Sequence, residues 1–303
     1  MARNFDPVQL GSIELFCKAA ELANFTAAAR VLGITPAAVS RSVGRLEARL
    51  GVRLFVRSTR LIRLTDDGEV YYEQCRQALQ KIKDAEQAIS GTQSKPSGLL
   101  RISTPTTYGH YRLLPLLPKF MAKYPDVTLE LHISNRNIDF IEEGYDLAIR
   151  LGVAPDSRLI ARKLEDVSLG VFASPSYLQK HGVPRDLKAL EQHQCIQFVL
   201  PSTGRSMPWI FQQEGRNIDF NFTSRMRVQE DILGCVNYAK AGGGLFQIYH
   251  FIVKNEVERG ELKEVLTDYA GRTRCFNLLY PQNRHLSTRV RCFVDFLINE
   301  IQR

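Results

Sequence analysis

The chain has 303 residues, of which 44% are hydrophobic, and its formal net charge is +8. This length is compatible with two domains, and the hydrophobic fraction is sufficient for packed cores, which excludes a disordered chain. The amino terminus lacks the apolar run of a signal peptide, and no later stretch approaches the roughly 20 apolar residues that span a bilayer. We therefore expect a cytoplasmic protein with no membrane partner.

The first predicted helix starts close to the amino terminus. Asp6 can cap it and Pro7 suits its first position, where a missing N–H costs nothing. Gln9 can return a hydrogen bond to the cap, and apolar residues then recur at helical spacing through residues 10–20. We expect this helix to pack behind the segment that follows, with Phe16 in its core.

Residues 25–65 carry nearly all of the positive charge. They contain eight arginines, no lysine and one acid, Glu47, so their net charge is 8 − 1 = +7 against +8 for the whole chain. Such concentrated charge favours a polyanionic partner, most simply a nucleic-acid backbone. A solvated basic helix explains the charge alone equally well, so the local pattern must decide.

Two short helical patterns flank a tight turn in this segment. Thr26 is expected to cap the first helix, and Gly33 suits the left-handed position that ends it. Thr35 can cap the second helix, with Pro36 at its first position and Gly51 at its end. This spacing is typical of a helix-turn-helix, whose second helix enters the major groove of DNA.

Two short β-like runs follow, at residues 52–56 and 61–64. Residues 57–60, with arginine at both ends, separate them, which predicts a hairpin whose basic tip contacts phosphate. Together with the preceding helices, the hairpin makes a winged helix-turn-helix.

The sequence at this point resembles the amino-terminal signature of the LysR-type transcriptional regulators. Residues 28–57 read A-A-x-x-L-x-I-T-P-A-A-V-S-R-x-x-x-x-L-E-x-x-L-G-x-x-L-F-x-R, and residues 63–68 extend this as R-L-T-x-x-G. The resemblance covers essentially the whole chain and implies a sequence-specific, DNA-binding regulator of transcription. It implies contact with RNA polymerase as well.

Residues at the start of the two helices, along the second helix and in the wing are the expected DNA contacts: Thr26, Thr35, Pro36, Ala37, Ser40, Arg41, Arg45, Arg57, Arg60 and Arg63. Many members of the family carry Gln-Pro at the start of the recognition helix, where this chain has Pro36-Ala37. Because proline cannot donate a hydrogen bond to a base edge, base readout is expected to depend more on Ser40, Arg41 and Arg45. The operator therefore cannot be copied from relatives.

A long helix is predicted next, capped by Thr65 and extending over residues 66–90, about 37 Å. Apolar residues recur along it in a heptad pattern. The seam consists of Tyr71, Cys75, Ala78, Ile82, Ala85 and Ile89. It can pack against its own domain or pair with a second subunit. The resemblance favours pairing, in a homodimer or homotetramer that binds an interrupted inverted repeat.

Small polar residues and a proline at positions 91–98 mark a linker. We therefore divide the chain into a winged helix-turn-helix (residues 1–65), a linker and dimerisation helix with its hinge (66–92), and an effector-binding domain (93–303). The third part alternates strands and helices, which predicts a right-handed, mostly parallel sheet. Its first unit has predicted strands at 99–104, 127–133 and 145–150 and helices at 111–123 and 138–143. The second has strands at 167–172, 195–199 and 218–222 and a helix at 231–241, before a return through 273–279 and 289–299.

Two α/β lobes joined by crossings near residues 159–165 and 266–274 resemble the periplasmic-binding-protein-type effector domain of these regulators. Ligands of open α/β sheets bind outside the carboxyl ends of the strands, so a small-molecule effector is expected between the lobes. The hydroxyl-rich residues 103–108 suit a carboxylate or another polar oxygen, although these hydroxyls can equally just cap a helix.

The resemblance implies an effector site that draws on both lobes. Thr104, Thr106 and Ser134 match pocket positions of the family in one lobe, and Phe198, Gln229 and Glu230 approach from the other. Glu230 leaves open whether the effector is an anion or an amine.

Other features favour structural roles. The six cysteines are scattered without a C-x-x-C pair, so buried thiols are expected, with redox sensing as a minor alternative. Gly242, Gly243 and Gly244 fit a helix-to-strand turn better than a phosphate loop, and Trp209 is expected in the core. We expect no metal or cofactor, because no ligand cluster or catalytic constellation is evident. An enzyme, a transport-type binding protein or a nonspecific architectural DNA binder is the alternative.

Overall fold

The computed structural model describes residues 10–57, 62–89, 95–136, 138–139, 143–152, 158–282 and 286–301, without the side chains of residues 57 and 87–89. The chain forms two compact units, Met1–Gln93 and Ser94–Arg303. The predicted cap at Asp6 and the predicted linker residues 91–94 lie outside the described residues.

The amino-terminal unit is a winged helix-turn-helix followed by one long helix. Its elements are α1 (Leu10–Leu22), α2 (Phe25–Leu32), α3 (Pro36–Leu50), β1 (Phe55–Arg57), β2 (Ile62–Leu64) and α4 (Asp66–Ile89). Strands β1 and β2 pair antiparallel, which confirms the predicted wing.

The prediction that Thr26 caps α2 is wrong. The cap is Asn24, whose Oδ1 accepts the backbone N–H groups of Thr26 at 2.8 Å and Ala27 at 2.9 Å. The helix thus starts two residues earlier than predicted and includes Phe25. The ring of Phe25 lies 5.4 Å from that of Phe55 in the wing. Packing of Phe25 against the wing explains why the helix begins before Thr26.

The other predicted ends of the two helices are confirmed. Thr35 Oγ1 accepts the N–H of Ala38 at 3.3 Å, with Pro36 at the first helical position. Gly33 and Gly51 end α2 and α3 with φ of 68° and 72°, in the left-handed region that glycine adopts without a Cβ clash.

Phe16 lies in the core of this unit, as predicted. Its ring centroid is 5.4 Å from that of Phe55 and 5.5 Å from that of Tyr71, so α1 holds the wing and α4 together. Val39 and Val43 of α3 are fully buried in the same cluster. The recognition helix is therefore fixed to the rest of the unit through its apolar face.

Helix α4 begins as predicted, with Thr65 Oγ1 accepting the N–H of Gly68 at 2.9 Å. Its predicted seam divides into two parts. Tyr71 and Cys75 pack against the core of their own unit, whereas Ala78, Ile82 and Ala85 are exposed. The alternative of packing within the domain therefore holds for the first two positions of the seam.

The carboxy-terminal unit is an α/β structure. Its strands are β3 (Gly98–Thr104), β4 (Val127–Ile133), β5 (Leu147–Leu151), β6 (Leu159–Ala173), β7 (Gln197–Val199), β8 (Trp209–Gln213), β9 (Arg216–Phe220), β10 (Arg227–Gln229), β11 (Phe246–Tyr249), β12 (Lys263–Val265) and β13 (Thr273–Pro281). Its helices are α5 (Thr106–Tyr108), α6 (Leu117–Lys123), α7 (Pro175–His181), α8 (Ile232–Lys240), α9 (His250–Glu258) and α10 (Thr288–Ile301).

The largest sheet has the order β11-β6-β13-β5-β3-β4, with β12 also paired to β6. Strand β3 is parallel to β4 and β5, but β13 is antiparallel to β5 and β6, as are β11 and β12 to β6. The parallel arrangement predicted for the first unit is therefore confirmed for β3, β4 and β5, whereas β13 and the strands around β6 pair antiparallel and do not fit the predicted mostly parallel sheet. Strand β6 contains the first predicted crossing (159–165) and pairs antiparallel with β13, whereas the second (266–274) includes a 3₁₀ turn (Thr267–Tyr269) and enters β13 only at residues 273 and 274.

The helical segment after β3 is irregular and starts earlier than predicted. It begins at Thr106 as α5, passes through a π-helical turn (Gly109–Leu113) and a 3₁₀ turn (Leu114–Leu116), and ends as α6. Pro115 and Pro118 lack the N–H that a regular helix needs, which explains the change of hydrogen-bond pattern. A Cβ on Gly109 would lie 2.9 Å from Thr104 Cγ2, so glycine lets this turn approach β3.

Some predicted elements differ and others were not foreseen. Helices α7 and α9 and strand β8, which contains buried Trp209, were not predicted, whereas β9 overlaps the predicted strand at 218–222. The predicted helix at 138–143 falls mainly outside the described residues, and residues 138 and 139 are not helical. Gly242–Gly244 form the expected turn between α8 and β11.

Candidate nucleic-acid interface and effector cleft

One face of α3 presents arginines to solvent. Ala37, Arg41 and Arg45 recur every fourth residue and are exposed, whereas Val39 and Val43 on the opposite side are buried. Ser40 lies beside the exposed face and is half-buried. This arrangement leaves two guanidinium groups free of core packing on the helix that a helix-turn-helix inserts into the major groove.

The other predicted DNA contacts lie at the helix starts and in the wing. Thr26, Thr35 and Pro36 are exposed at the amino-terminal ends of α2 and α3. Arg63 is exposed on β2, and Arg57 ends β1 with its side chain outside the description. Arg60 lies outside the described residues.

Glu47, the only acid of residues 25–65, faces inward. It is 3% exposed, and its Oε1 accepts the backbone N–H groups of Leu54 at 2.9 Å and Phe55 at 3.2 Å. Its other oxygen accepts Arg53 Nη1 at 3.3 Å. Glu47 therefore ties the start of the wing to α3. Its negative charge is buried, whereas Arg41, Arg45 and Arg63 are exposed.

Three predicted effector residues lie together at the carboxyl ends of β3 and β4. Thr104 is fully buried, and its Oγ1 has no hydrogen-bond partner. The N–H of Ser134 donates to the carbonyl oxygen of Thr104 at 2.9 Å, and Thr106 starts the next helix. A buried hydroxyl without a partner is costly in a protein interior and fits a site that a ligand completes.

Asn135 connects this cluster with the second lobe and was not foreseen from the sequence. Its Oδ1 accepts the N–H of Thr106 at 3.2 Å, and its Nδ2 donates to Thr106 Oγ1 at 3.2 Å. The same Nδ2 donates to the carbonyl oxygen of Glu230 at 2.7 Å. Glu230 has a φ of 63°, which is uncommon for a residue with a Cβ.

Arg150 supplies a half-buried cation beside these residues. Its guanidinium donates to Ser103 Oγ at 2.7 Å, to the carbonyl oxygen of Ile149 at 2.7 Å and to that of Arg136 at 3.2 Å. Burial lowers the pKa of Arg150 to about 10. All three acceptors are neutral, so the charge is solvated by dipoles and keeps its attraction for an anion.

The remaining predicted effector residues lie on two paired strands of the second lobe. Phe198 of β7 pairs with Val228 of β10 and is 4% exposed, in the core of the lobe. Gln229 follows on β10 and is exposed, as is Glu230. The structure thus brings Thr104, Thr106 and Ser134 together. Asn135 connects this group to Glu230 by a hydrogen bond, whereas Phe198 packs in the core of the second lobe.

No group of three or more potential metal ligands is found among the described residues. All six cysteines are free thiols. In the described part of the chain, none of the helices has both the length and the apolarity required to cross a membrane.

Comparison with known proteins covers both units. The model "Bacterial regulatory helix-turn-helix protein, lysR family" matches residues 10–69, and "LysR substrate binding domain" matches residues 93–302. An HTH-type transcriptional regulator of Xanthomonas campestris pv. campestris is 35% identical over 95% of this chain and 84% of its own. Two solved structures are also similar over the full length.

The first is the Vibrio cholerae virulence activator AphB, with 29% identity, a TM-score of 0.62 and coverage of 96% of this chain and 99% of that chain. The second is CrgA from Neisseria meningitidis, with 30% identity, a TM-score of 0.61 and coverage of 97% and 99%. The chain therefore belongs to the LysR family: it is a DNA-binding transcriptional regulator with an amino-terminal helix-turn-helix and a two-lobed effector domain.

Proposed function

We propose that α3 and the wing recognise an operator through specific arginines, with Arg41 and Arg45 at base edges and Arg57, Arg60 and Arg63 near phosphates. Ser40 completes base readout. The DNA backbone is contacted by residues at the starts of the two helices: Thr26, Thr35, Pro36 and Ala37. The observation that carries this proposal is the exposed arginine face of α3 opposite its buried stripe. We also propose a cytoplasmic location, because a regulator of this kind must reach the chromosome.

The test is binding of the full-length protein to a site found by genome-wide mapping. Arg41→Ala and Arg45→Ala should each weaken binding by roughly ten-fold or more, since a good contact to a base pair contributes about 1–3 kcal/mol. Arg30→Ala is the matched control, because Arg30 is an exposed arginine of α2 outside this face. Unchanged affinity of both α3 variants at matched salt would remove these arginines from the interface. Equal affinity of the wild type for random DNA would favour an architectural role.

We propose a homodimer or homotetramer paired through the exposed part of the α4 seam, which would set two recognition helices on an interrupted inverted repeat. Ile82 is 37% exposed there although it is apolar. Ile82→Asp should shift sedimentation toward the monomer. Val70→Asp, at a 69% exposed valine of the same helix outside the seam, should not. Identical sedimentation of both variants and the wild type would rule out this pairing.

We propose a carboxylate as the effector, held by Arg150, Ser103 and the Thr104–Thr106 region. The half-buried Arg150 guanidinium, whose three acceptors are neutral, favours an anion over the amine that Glu230 would select. A screen of carboxylates and their matched carboxamides tests this, since a ligand that binds only the folded protein stabilises it, and does so more strongly the tighter it binds. Carboxylates alone should raise the melting temperature and change operator binding. Equal stabilisation by the amides would contradict the proposed charge.

We propose that the three segments of the chain have separate functions: residues 1–65 bind DNA, residues 66–92 mediate dimerisation and residues 93–303 bind the effector. Ligand must prefer one arrangement of the lobes for it to alter DNA binding or contact with RNA polymerase. A regulator leaves its effector unchanged, whereas an enzyme consumes it. Turnover of a bound carboxylate by the purified protein would therefore contradict this function.

A further inference from the structure

A second cavity of about 540 Å³ lies beside α9, separate from the effector cleft. Its volume falls within the range of small-molecule sites. Phe172 and Val253 are almost fully buried in its floor, and the ring of Phe251 forms a further apolar wall. Val257 lies at its mouth and is 39% exposed.

A hydrogen-bonded chain of three side chains forms the polar side of this cavity. Glu264 Oε1 lies 2.8 Å from His250 Nε2, and His250 Nδ1 lies 3.0 Å from Ser168 Oγ. A carboxylate only accepts, so Nε2 carries the hydrogen, and in that tautomer Nδ1 accepts the hydroxyl hydrogen of Ser168. Ser168 Oγ therefore keeps its lone pairs for a donor that enters the cavity.

The charged groups around the cavity are paired with one another. Arg112 lies 3.3 Å from Glu165, Lys254 lies 4.0 Å from Glu258, and Asp166 is bonded to Lys163. A charged ligand would have to compete with these ion pairs, whereas a neutral ligand leaves them in place. The apolar floor favours a ring, and the Ser168 oxygen favours a hydrogen-bond donor on it.

We propose that this cavity is a second small-molecule site, which takes an uncharged aromatic molecule that carries a hydroxyl group. The ring lies against Phe172 and Phe251, and the hydroxyl donates to Ser168. The site also connects the lobes, because Arg112 comes from the helical segment of the first lobe and lies 4.6 Å over the Phe251 ring. Occupancy at this position therefore bears on lobe orientation without a contact to the effector cleft.

The test uses phenol and anisole as probes for the full-length protein, with binding followed by calorimetry. Anisole has the same ring but no hydroxyl hydrogen, so the wild type should bind phenol several-fold more tightly. Ser168→Ala should lose most of this preference, about five-fold for one neutral hydrogen bond, and bind anisole as before. Equal affinity of the wild type for the two probes would overturn the proposed role of Ser168.

A second variant locates the site. Val257→Trp fills the mouth of the cavity and should abolish phenol binding, while Val183→Trp, at a 52% exposed valine elsewhere, should leave it unchanged. Retention of phenol binding in Val257→Trp would mean that the probe binds elsewhere. Hydrolysis of phenyl acetate by the wild type but not by Ser168→Ala would replace the binding site with a catalytic one.

Discussion

The carboxylate of Glu47 stabilises the junction between α3 and the wing. Removal of this side chain in Glu47→Ala leaves the N–H groups of Leu54 and Phe55 buried without an acceptor. Since each unsatisfied buried group costs about 1–3 kcal/mol, the variant should lose roughly 2–4 kcal/mol of stability of the amino-terminal unit. Urea unfolding followed by circular dichroism measures the loss.

Glu47→Gln is the matched control for this prediction. Its amide oxygen can still accept both N–H groups, so it should lose much less stability than the alanine variant. A similar loss in both variants would mean that the negative charge, through Arg53, matters more than the two backbone hydrogen bonds.

Cys75 is the thiol whose ionisation is most favoured by its surroundings. A hydrogen bond from the Cys17 thiol, together with the Tyr71 hydroxyl and nearby Arg49, lowers the pKa of Cys75 to about 7 against the opposing effect of burial. The same hydrogen bond raises the pKa of Cys17. An ultraviolet thiolate titration should therefore show a step near pH 7 that disappears in Cys75→Ser and moves to higher pH in Cys17→Ala.

The lower pKa of Cys75 in the folded state also links ionisation to stability. Unfolding takes up a proton between about pH 7 and the ordinary thiol range, so Cys75 stabilises the fold as pH rises through this window and loses the contribution as pH falls through about 7. Burial raises the pKa of Cys195 and Cys235 to about 12, so these thiols do not interfere. A neutral-pH step that persists in Cys75→Ser would assign it to another group.

At the level of the element, the start of α2 depends on Asn24 rather than on Thr26. Asn24→Ala leaves two amino-terminal N–H groups of the helix without a side-chain acceptor and should cost about 1 kcal/mol. Thr26→Ala, at an exposed residue inside the first turn, should change stability by less than about 0.5 kcal/mol. Thermal unfolding of the two variants compares them, and a larger loss for Thr26→Ala would restore the sequence-based cap.

Local chemistry determined most helix ends in the amino-terminal unit, because caps and glycines act over three or four residues. Thr35, Gly33, Gly51 and Thr65 were therefore predictable from sequence. The start of α2 was not, since both Asn24 and Thr26 are good caps and the contact of Phe25 with the distant Phe55 decides between them.

Long-range pairing limited the prediction of the carboxy-terminal unit. The lengths of β6 and β13 and their antiparallel register depend on pairing between segments about a hundred residues apart, which a local pattern does not contain. The cleft shows the same limit. Thr104 ends one predicted strand and Ser134 follows another, and the family resemblance named both as candidates. Asn135 and Arg150 became candidates only through their contacts with Glu230 and Ser103, which the fold brings near.

At the level of the whole effector domain, Asn135 forms hydrogen bonds to Thr106 in one lobe and to Glu230 in the other, and so links the two lobes directly. Its carboxamide oxygen accepts the backbone N–H of Thr106. The proposed effector carboxylate would also use a donor of this kind. An effector that bound this N–H, as we propose, would displace Asn135 and thereby release the Glu230 carbonyl. We therefore expect both ligand access and the contact between the lobes to depend on the Asn135 side chain.

Two substitutions separate the two halves of this bridge. Asn135→Ala removes both, so hydrogen exchange should become about five-fold faster at the Thr106 amide and in residues 229–233 of the full-length protein, as expected for the loss of one hydrogen bond. Asn135→Asp keeps an acceptor for the Thr106 N–H but offers no donor to the Glu230 carbonyl, so only residues 229–233 should exchange faster. Relaxation of the uncommon φ of 63° at Glu230 should add to this effect. If residues 229–233 exchanged at the wild-type rate in both variants, the contact between Asn135 and Glu230 would not hold the lobes together.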